Sequence, residues 1–198
     1  SNRGGGSCYD FGEIIKLHTL CREKNLAFHL DGARLWNALI AKKENPKQYG
    51  EVFDSISVCL SKSLGCPVGS LLLGKIDFIK KARRIRKVFG GGMRQAGFIA
   101  AAGIYALQHN IERLAIDHEH ARLIAEAIAA KDFVKKVLPV ETNIIIFESD
   151  DATPATRLVT KLKEHNIAGY AIAANRVRLV VHLDITGEMV DKTIQVFK

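Results

Sequence analysis

Two short apolar runs, residues 26–30 and 55–60, constrain the fold of this chain more than any other feature. Each is too short for a helix and reads as a strand buried inside a domain. The first runs into Asp31 and the second stops just before Lys62. Between them, Gly32 and Ala33 open a helical pattern of Leu35, Trp36, Leu39 and Ile40, which Asn45-Pro46 breaks. The intervening segment, roughly twenty-odd residues with a helix in it, is long enough for a right-handed crossover between parallel strands. Such a unit puts both carboxyl-terminal strand ends on one edge, where sheets of this kind bind ligands. An acid and a lysine leaving neighbouring strands there would converge on one pocket; the plain alternative is a salt bridge.

The remaining pattern extends this unit on both sides. Asp10 followed by Glu13 is a capping-box-like start for a helix ending near Asn25. A third buried strand spans 69–73, and a helix carrying a basic run follows it. Residues 95–108 are apolar nearly all round, which predicts a helix buried inside a domain. Residues 111–130 predict a long amphipathic helix. Strands are expected at 140–148, 169–173 and 177–182, with Thr153-Pro154 starting one helix and Thr186 capping the last. The order predicts an α/β layer over 1–109 and a smaller α+β domain over 110–198, bridged by the helix at 110–130.

Composition narrows the function classes. Of the 198 residues, 47% are apolar and 25% charged, which argues against collagen-like, disordered and disulfide-scaffold chains. The longest apolar stretches, 97–107 and 144–147, fall far short of the ~20 residues of a bilayer span. No basic-then-apolar leader opens the chain, so a cytoplasmic protein without a membrane partner is expected. Six of the net +8 charges sit in Lys80, Lys81, Arg83, Arg84, Arg86 and Lys87. That run holds no aromatic residue, so it reads as a solvated helix face or a site for a small anion rather than for nucleic acid. The cysteines, Cys8, Cys21, Cys59 and Cys66, lack metal-ligand spacing and are expected as reduced thiols; no metal site is expected. Gly69, Gly74 and Lys75 miss the spacing of a nucleotide-binding loop by one residue, and their interior reads as strand.

Four segments carry a resemblance. His29-Leu30-Asp31-Gly32-Ala33-Arg34 and Ser61-Lys62-Ser63-Leu64-Gly65-Cys66-Pro67-Val68-Gly69-Ser70 resemble two signatures of the threonine aldolases. Gly90-Gly91-Gly92-Met93-Arg94-Gln95-Ala96-Gly97 and Arg178-Leu179-Val180-Val181-His182-Leu183-Asp184 match two more, in the same order. The resemblance implies a pyridoxal-phosphate enzyme of the beta-eliminating lyase group, with the aspartate-aminotransferase-like fold: a large, mostly parallel α/β domain and a small α+β domain. It assigns Lys62 as the lysine that binds the cofactor covalently, and Asp31 as the carboxylate that keeps the pyridine nitrogen protonated. His29 and Arg34 are expected beside the cofactor, with Arg34 also near the substrate carboxylate. Arg178 matches the arginine that holds that carboxylate through a planar fork, with Arg176 as the alternative. Arg94 and Lys87 match positions that reach the cofactor phosphate, partly from a neighbouring subunit.

The implied reaction is reversible cleavage of L-threonine or L-allo-threonine to glycine and an aldehyde, by a dimer or tetramer with sites at subunit interfaces. The alternatives are β-elimination or racemisation on the same scaffold, or an inactive remnant. Ser63 stands where the family usually has glycine, Cys66 where alanine is common, and Val181 replaces a usual threonine. Family members also carry a phosphate-cupping loop and a ring-stacking histidine well upstream of Asp31. The chain is therefore expected to be the carboxy-terminal part of such an enzyme, unable by itself to fold stably or to turn over substrate.

Overall fold

The computed structural model describes residues 4–198. The chain forms two compact units, Tyr9–Glu112 and Arg113–Lys198, and residues 4–8 belong with the second.

The first unit runs α1 (Phe11–Glu23), β1 (His29–Gly32), α2 (Leu35–Lys42), α3 (Pro46–Val52), β2 (Ser55–Cys59), β3 (Ser70–Gly74), α4 (Ile76–Val88) and α5 (Gly97–His109). The Asp10 carboxylate accepts from the Glu13 amide and caps α1. Asn45-Pro46 does more than stop α2. The Asn45 side chain accepts from the Lys47 amide, Gln48 closes a capping box, and Pro46 occupies the first turn of α3. The sheet order is β1-β2-β3, with β1 and β2 parallel and β3 antiparallel to β2.

One face of β2 buries Ile56 and Val58 against Ile14, Leu35, Leu39, Tyr49, Val52 and Phe53 from the three preceding helices. Side chains alternate along a strand, so Ser55, Ser57 and Cys59 take the other face, in register with His29 and Asp31. Helix α5 departs from the sequence expectation. Only Gly103 and Ala106 are buried on it, while Phe98 is 91% exposed. A helix apolar all round needs packing partners on every side, and within this unit α5 meets the chain along one stripe only, with Gly103 against Leu60. Helix α4 has no buried residue.

The second unit holds α6 (Leu114–Ala129), β4 (Val134–Val137), β5 (Ile144–Ser149), α7 (Ala155–Glu164), β6 (Tyr170–Ala173), β7 (Arg176–Val180) and α8 (Gly187–Val196). Its antiparallel sheet has the order β4-β5-β7-β6. Ile145, Phe147, Val177, Leu179 and Val181 pack with Ala121, Ile124 and Ile128 of α6, Leu162 of α7 and Val190 of α8. Residues 4–8 are laced to this unit: the Thr142 hydroxyl donates to the Gly6 carbonyl at 2.8 Å, and the Cys8 amide to Glu141 at 3.0 Å. Thr186 caps α8. Thr153 does not cap α7: Pro154 is the flanking residue, and the Thr153 carbonyl accepts from the Ser149 hydroxyl at 2.6 Å. No helix among the described residues is long and apolar enough to cross a membrane.

Candidate active site

The parallel strands β1 and β2 pair His29 with Ser55, Asp31 with Ser57, and Gly32 with Val58. Both chains therefore leave the sheet at the same edge. At Gly32 the strands come so close that a Cβ would lie 2.6 Å from the Ser57 carbonyl oxygen. Glycine at this position lets the Asp31 end of β1 lie flush against β2. The Asp31 carboxylate accepts from the Ala33 amide at 3.1 Å, which fixes the turn into α2.

Beyond β2 the chain makes a loop tied to its own base. The Leu60 amide donates to the Gly69 carbonyl at 3.0 Å, the Leu60 carbonyl accepts from the Cys66 amide at 3.1 Å, and Gly65 closes a tight turn onto the Lys62 carbonyl at 2.9 Å. Ser63, Leu64 and Cys66 are buried, and Asn110 donates to the Leu64 carbonyl at 2.8 Å. Those residues seat the loop and leave Lys62 exposed at its tip. Among the described residues, the Lys62 amine takes part in no hydrogen bond or ion pair. Residues 70–74 form a strand rather than a phosphate-cradling loop, but not the buried strand expected: β3 is the last strand of its sheet and Leu71, Leu72 and Leu73 are exposed within this unit.

The same face carries His29, expected beside the cofactor, and Ser55 and Cys59, which the sequence did not single out as site residues. The His29 imidazole shares a hydrogen bond with the Ser55 hydroxyl through Nδ1 at 2.8 Å. Cys59, on the same face as Asp31, sits three residues before Lys62. Burial pushes its thiol up, but hydrogen bonds with Ser61 and Ser70 and the Lys62 ammonium bring it below the ordinary value. Burial and the charge of Cys59 raise Cys66. The alternation Ser55-Ile56-Ser57-Val58-Cys59 carried the signal for this polar face; the buried-strand reading passed over it.

Lys87 and Arg94 flank the triple glycine that ends α4. Gly90 takes a left-handed backbone, its amide donating to Lys87 and that of Gly91 to Arg86, the pattern of a glycine helix stop. Both basic side chains are exposed, and no hydrogen bond or ion pair among the described residues joins them to Asp31 or Lys62. Arg34 flanks α2, three residues past Asp31.

Arg178 belongs to the second unit, at the middle of β7, paired with Ile146 on β5 and Tyr170 on β6. Arg176, on the same strand face, forms an ion pair with Glu148 at 2.6 Å. The Nε of Arg178 is buried and has no hydrogen-bond partner among the described residues. Of the two arginines, only Arg178 has a buried donor without a partner among the described residues. No group of three or more metal-ligating side chains occurs among the described residues.

The profile of the family described as "Beta-eliminating lyase" matches residues 1–152. The chain is 38% identical over 197 residues to low-specificity L-threonine aldolase 1 of Arabidopsis thaliana, covering 98% of this chain and 55% of that protein. It is 45% identical over 167 residues to the low specificity L-threonine aldolase of Escherichia coli K12, covering 84% and 49%. The chain thus spans about half the length of the curated relatives it matches. Among solved structures, the threonine aldolase of Leishmania major superposes with a TM-score of 0.77 at 18% identity, covering 97% of this chain and 57% of that one. The histidinol-phosphate aminotransferase of Clostridium acetobutylicum does so at 0.74 and 13%, covering 99% and 60%. At those identities the likeness establishes the fold.

Proposed function

The chain belongs to the beta-eliminating lyase family, and on that premise we propose that it is the carboxy-terminal part of a pyridoxal-phosphate enzyme that cleaves L-threonine or L-allo-threonine reversibly to glycine and an aldehyde. One observation carries this reading: a carboxylate, Asp31, and an unengaged amine, Lys62, leave two parallel neighbouring strands at one sheet edge. Relatives named as low-specificity L-threonine aldolases support the substrate class.

The residues present fit the cofactor. Among the described residues the Lys62 amine has no competing partner, and the Asp31 carboxylate has an oxygen left over after its bond to Ala33. Bound there, pyridoxal phosphate would supply a protonated ring that accepts the electrons of the breaking Cα–Cβ bond. Lys62 would hold the cofactor through its amine. Asp31 holds the proton on the ring nitrogen. Arg178, with Arg34, grips the substrate carboxylate as a fork and so sets which bond at Cα stands perpendicular to the ring. His29, on the same strand face as Asp31, borders the cofactor.

In the same reading, residues 1–109 are part of the cofactor-binding large domain and 110–198 the small domain. Lys87 and Arg94 serve the cofactor phosphate, partly in a neighbouring subunit of a cytoplasmic homo-oligomer. The exposed Phe89, just past α4, and Phe98 on α5, at 84% and 91%, call for a covering surface in the full-length protein or in a neighbouring subunit.

The test is to incubate the full-length protein with pyridoxal phosphate and L-threonine. Equal amounts of glycine and acetaldehyde, lost in Lys62→Ala, support the reading. Release of 2-ketobutyrate instead would move it to β-elimination, and absence of any product to an inactive remnant.

A further inference from the structure

The second unit contains a buried ionic pair that the chemistry above does not use. Asp117 is fully buried on α6, in the stripe that otherwise buries Leu114, Ala121, Ile124 and Ile128. Its Oδ1 accepts from Arg113 Nη1 at 2.8 Å, while its Oδ2 has no hydrogen-bond partner among the described residues. The other arm of the same guanidinium, Nη2, donates to the Leu183 carbonyl at 2.8 Å. Burial raises the Asp117 carboxyl against the lowering pull of Arg113, His120 and His182.

This arrangement is costly as a stability device. An ion pair in an apolar stripe generally gains little over well-packed apolar side chains of the same size. Arg113 also flanks the amino-terminal end of α6, where the helix dipole disfavours a cation. What the pair gains is a fixed point on the chain beyond β7. The Val181 amide donates to the Asn143 carbonyl at 2.9 Å, and the Val181 carbonyl accepts from the Asn143 side chain at 2.7 Å. Arg113 then holds Leu183, two residues on. The segment that follows Arg178 is thus pinned by Asn143, just before β5, and by Arg113, just before α6.

We propose that Arg113, oriented by the buried Asp117, is a positioning residue: by holding the Leu183 carbonyl it sets the end of β7 and with it the aim of the Arg178 guanidinium at the substrate carboxylate. This rests on the reading of Arg178 given above. The pair acts through the backbone and touches neither substrate nor cofactor.

The experiment uses the full-length holoenzyme with Arg113→Met and Asp117→Leu combined, a change that removes both charges together and so leaves no lone buried ion. The thermal midpoint is expected to hold or rise, while KM for threonine rises about tenfold and kcat stays within about twofold. Amide exchange at Ile185, whose amide donates to the His182 carbonyl, is expected to accelerate. A folded double variant with unchanged KM and unchanged exchange would overturn the proposal. Arg113→Lys keeps a charge beside Asp117 but gives up the fork, and an unchanged KM there would overturn it equally. Arg178→Lys separates the two readings. If it leaves KM unaltered, Arg178 does not hold the carboxylate and the positioning role falls with it. If it raises KM, and adding the double variant raises KM no further, the two act as one unit and the proposal stands.

Discussion

Asp31 of β1 lies directly across from Ser57 of β2 in a parallel register, so the aspartate and the lysine five residues past Ser57 leave the sheet at a common edge. That relationship turns two residues thirty-one positions apart into candidates for opposite ends of one ring. Replacing Asp31 with Asn removes the charge and keeps the shape. On this account kcat of the full-length enzyme falls on the order of a hundredfold, while cofactor remains attached. Steady-state kinetics with L-threonine check this; activity within a few-fold of wild type would remove Asp31 from the ring nitrogen.

Gly32 is the packing counterpart of that register. A methyl group there meets the Ser57 carbonyl oxygen at 2.6 Å, a backbone atom that cannot swing aside. Gly32→Ala should destabilise the protein by about 1–3 kcal/mol, as overpacking generally does. Urea unfolding monitored by circular dichroism provides the measurement, and an unshifted midpoint would show that the strands part at no cost.

The two thiols around the Lys62 loop should differ in reactivity. Burial works against the Cys59 thiolate, but Ser61, Ser70 and Lys62 outweigh it, whereas Cys66 is buried and raised. At pH 8, limiting iodoacetamide should label Cys59 ahead of Cys66, as read by peptide mass spectrometry. Equal labelling, or Cys66 first, would contradict the polar environment assigned to Cys59.

Burial lowers His118 on α6 from 6.5 to about 4. The unfolded chain therefore takes up a proton that the folded one refuses. The stability tied to this group is full above pH 6.5 and is lost as pH falls from 6.5 toward 4, by up to about 1.4 kcal/mol per pH unit. Comparing urea midpoints at pH 7 and pH 5 in wild type and His118→Gln reads this out. The variant should lose part of the pH dependence; identical slopes would mean that His118 titrates normally.

Much of this architecture was legible because local patterns spoke for it. The run at 55–60 and the helical spacing of Leu35, Trp36 and Leu39 led to the parallel pair that carries Asp31, and Asp10 and Thr186 capped helices where their side chains predicted. The misses have physical causes. Strand β4 contains only two apolar residues, Val134 and Val137, and exists because β5 supplies its ladder. Asn45-Pro46 reads as a break yet starts α3, since the same dipeptide ends one helix and caps the next. Helix α5 is as apolar as a core helix but stays exposed within its unit, because periodicity reports what a face requires and not which chain covers it. The Arg113–Asp117 pair gave no sequence signal beyond a common i,i+4 spacing, and its weight comes from burial and from Leu183, seventy residues away from Arg113.

The central claim, that Lys62 and Asp31 hold one cofactor between them, is tested most directly by titrating pyridoxal phosphate into the full-length protein and recording the visible absorbance of the lysine-bound cofactor. The account predicts a stoichiometric band in wild type, its loss in Lys62→Ala, and a band that persists in Asp31→Asn with a shifted maximum. A band that survives in Lys62→Ala, or a wild-type spectrum equal to that of free pyridoxal phosphate, would contradict it.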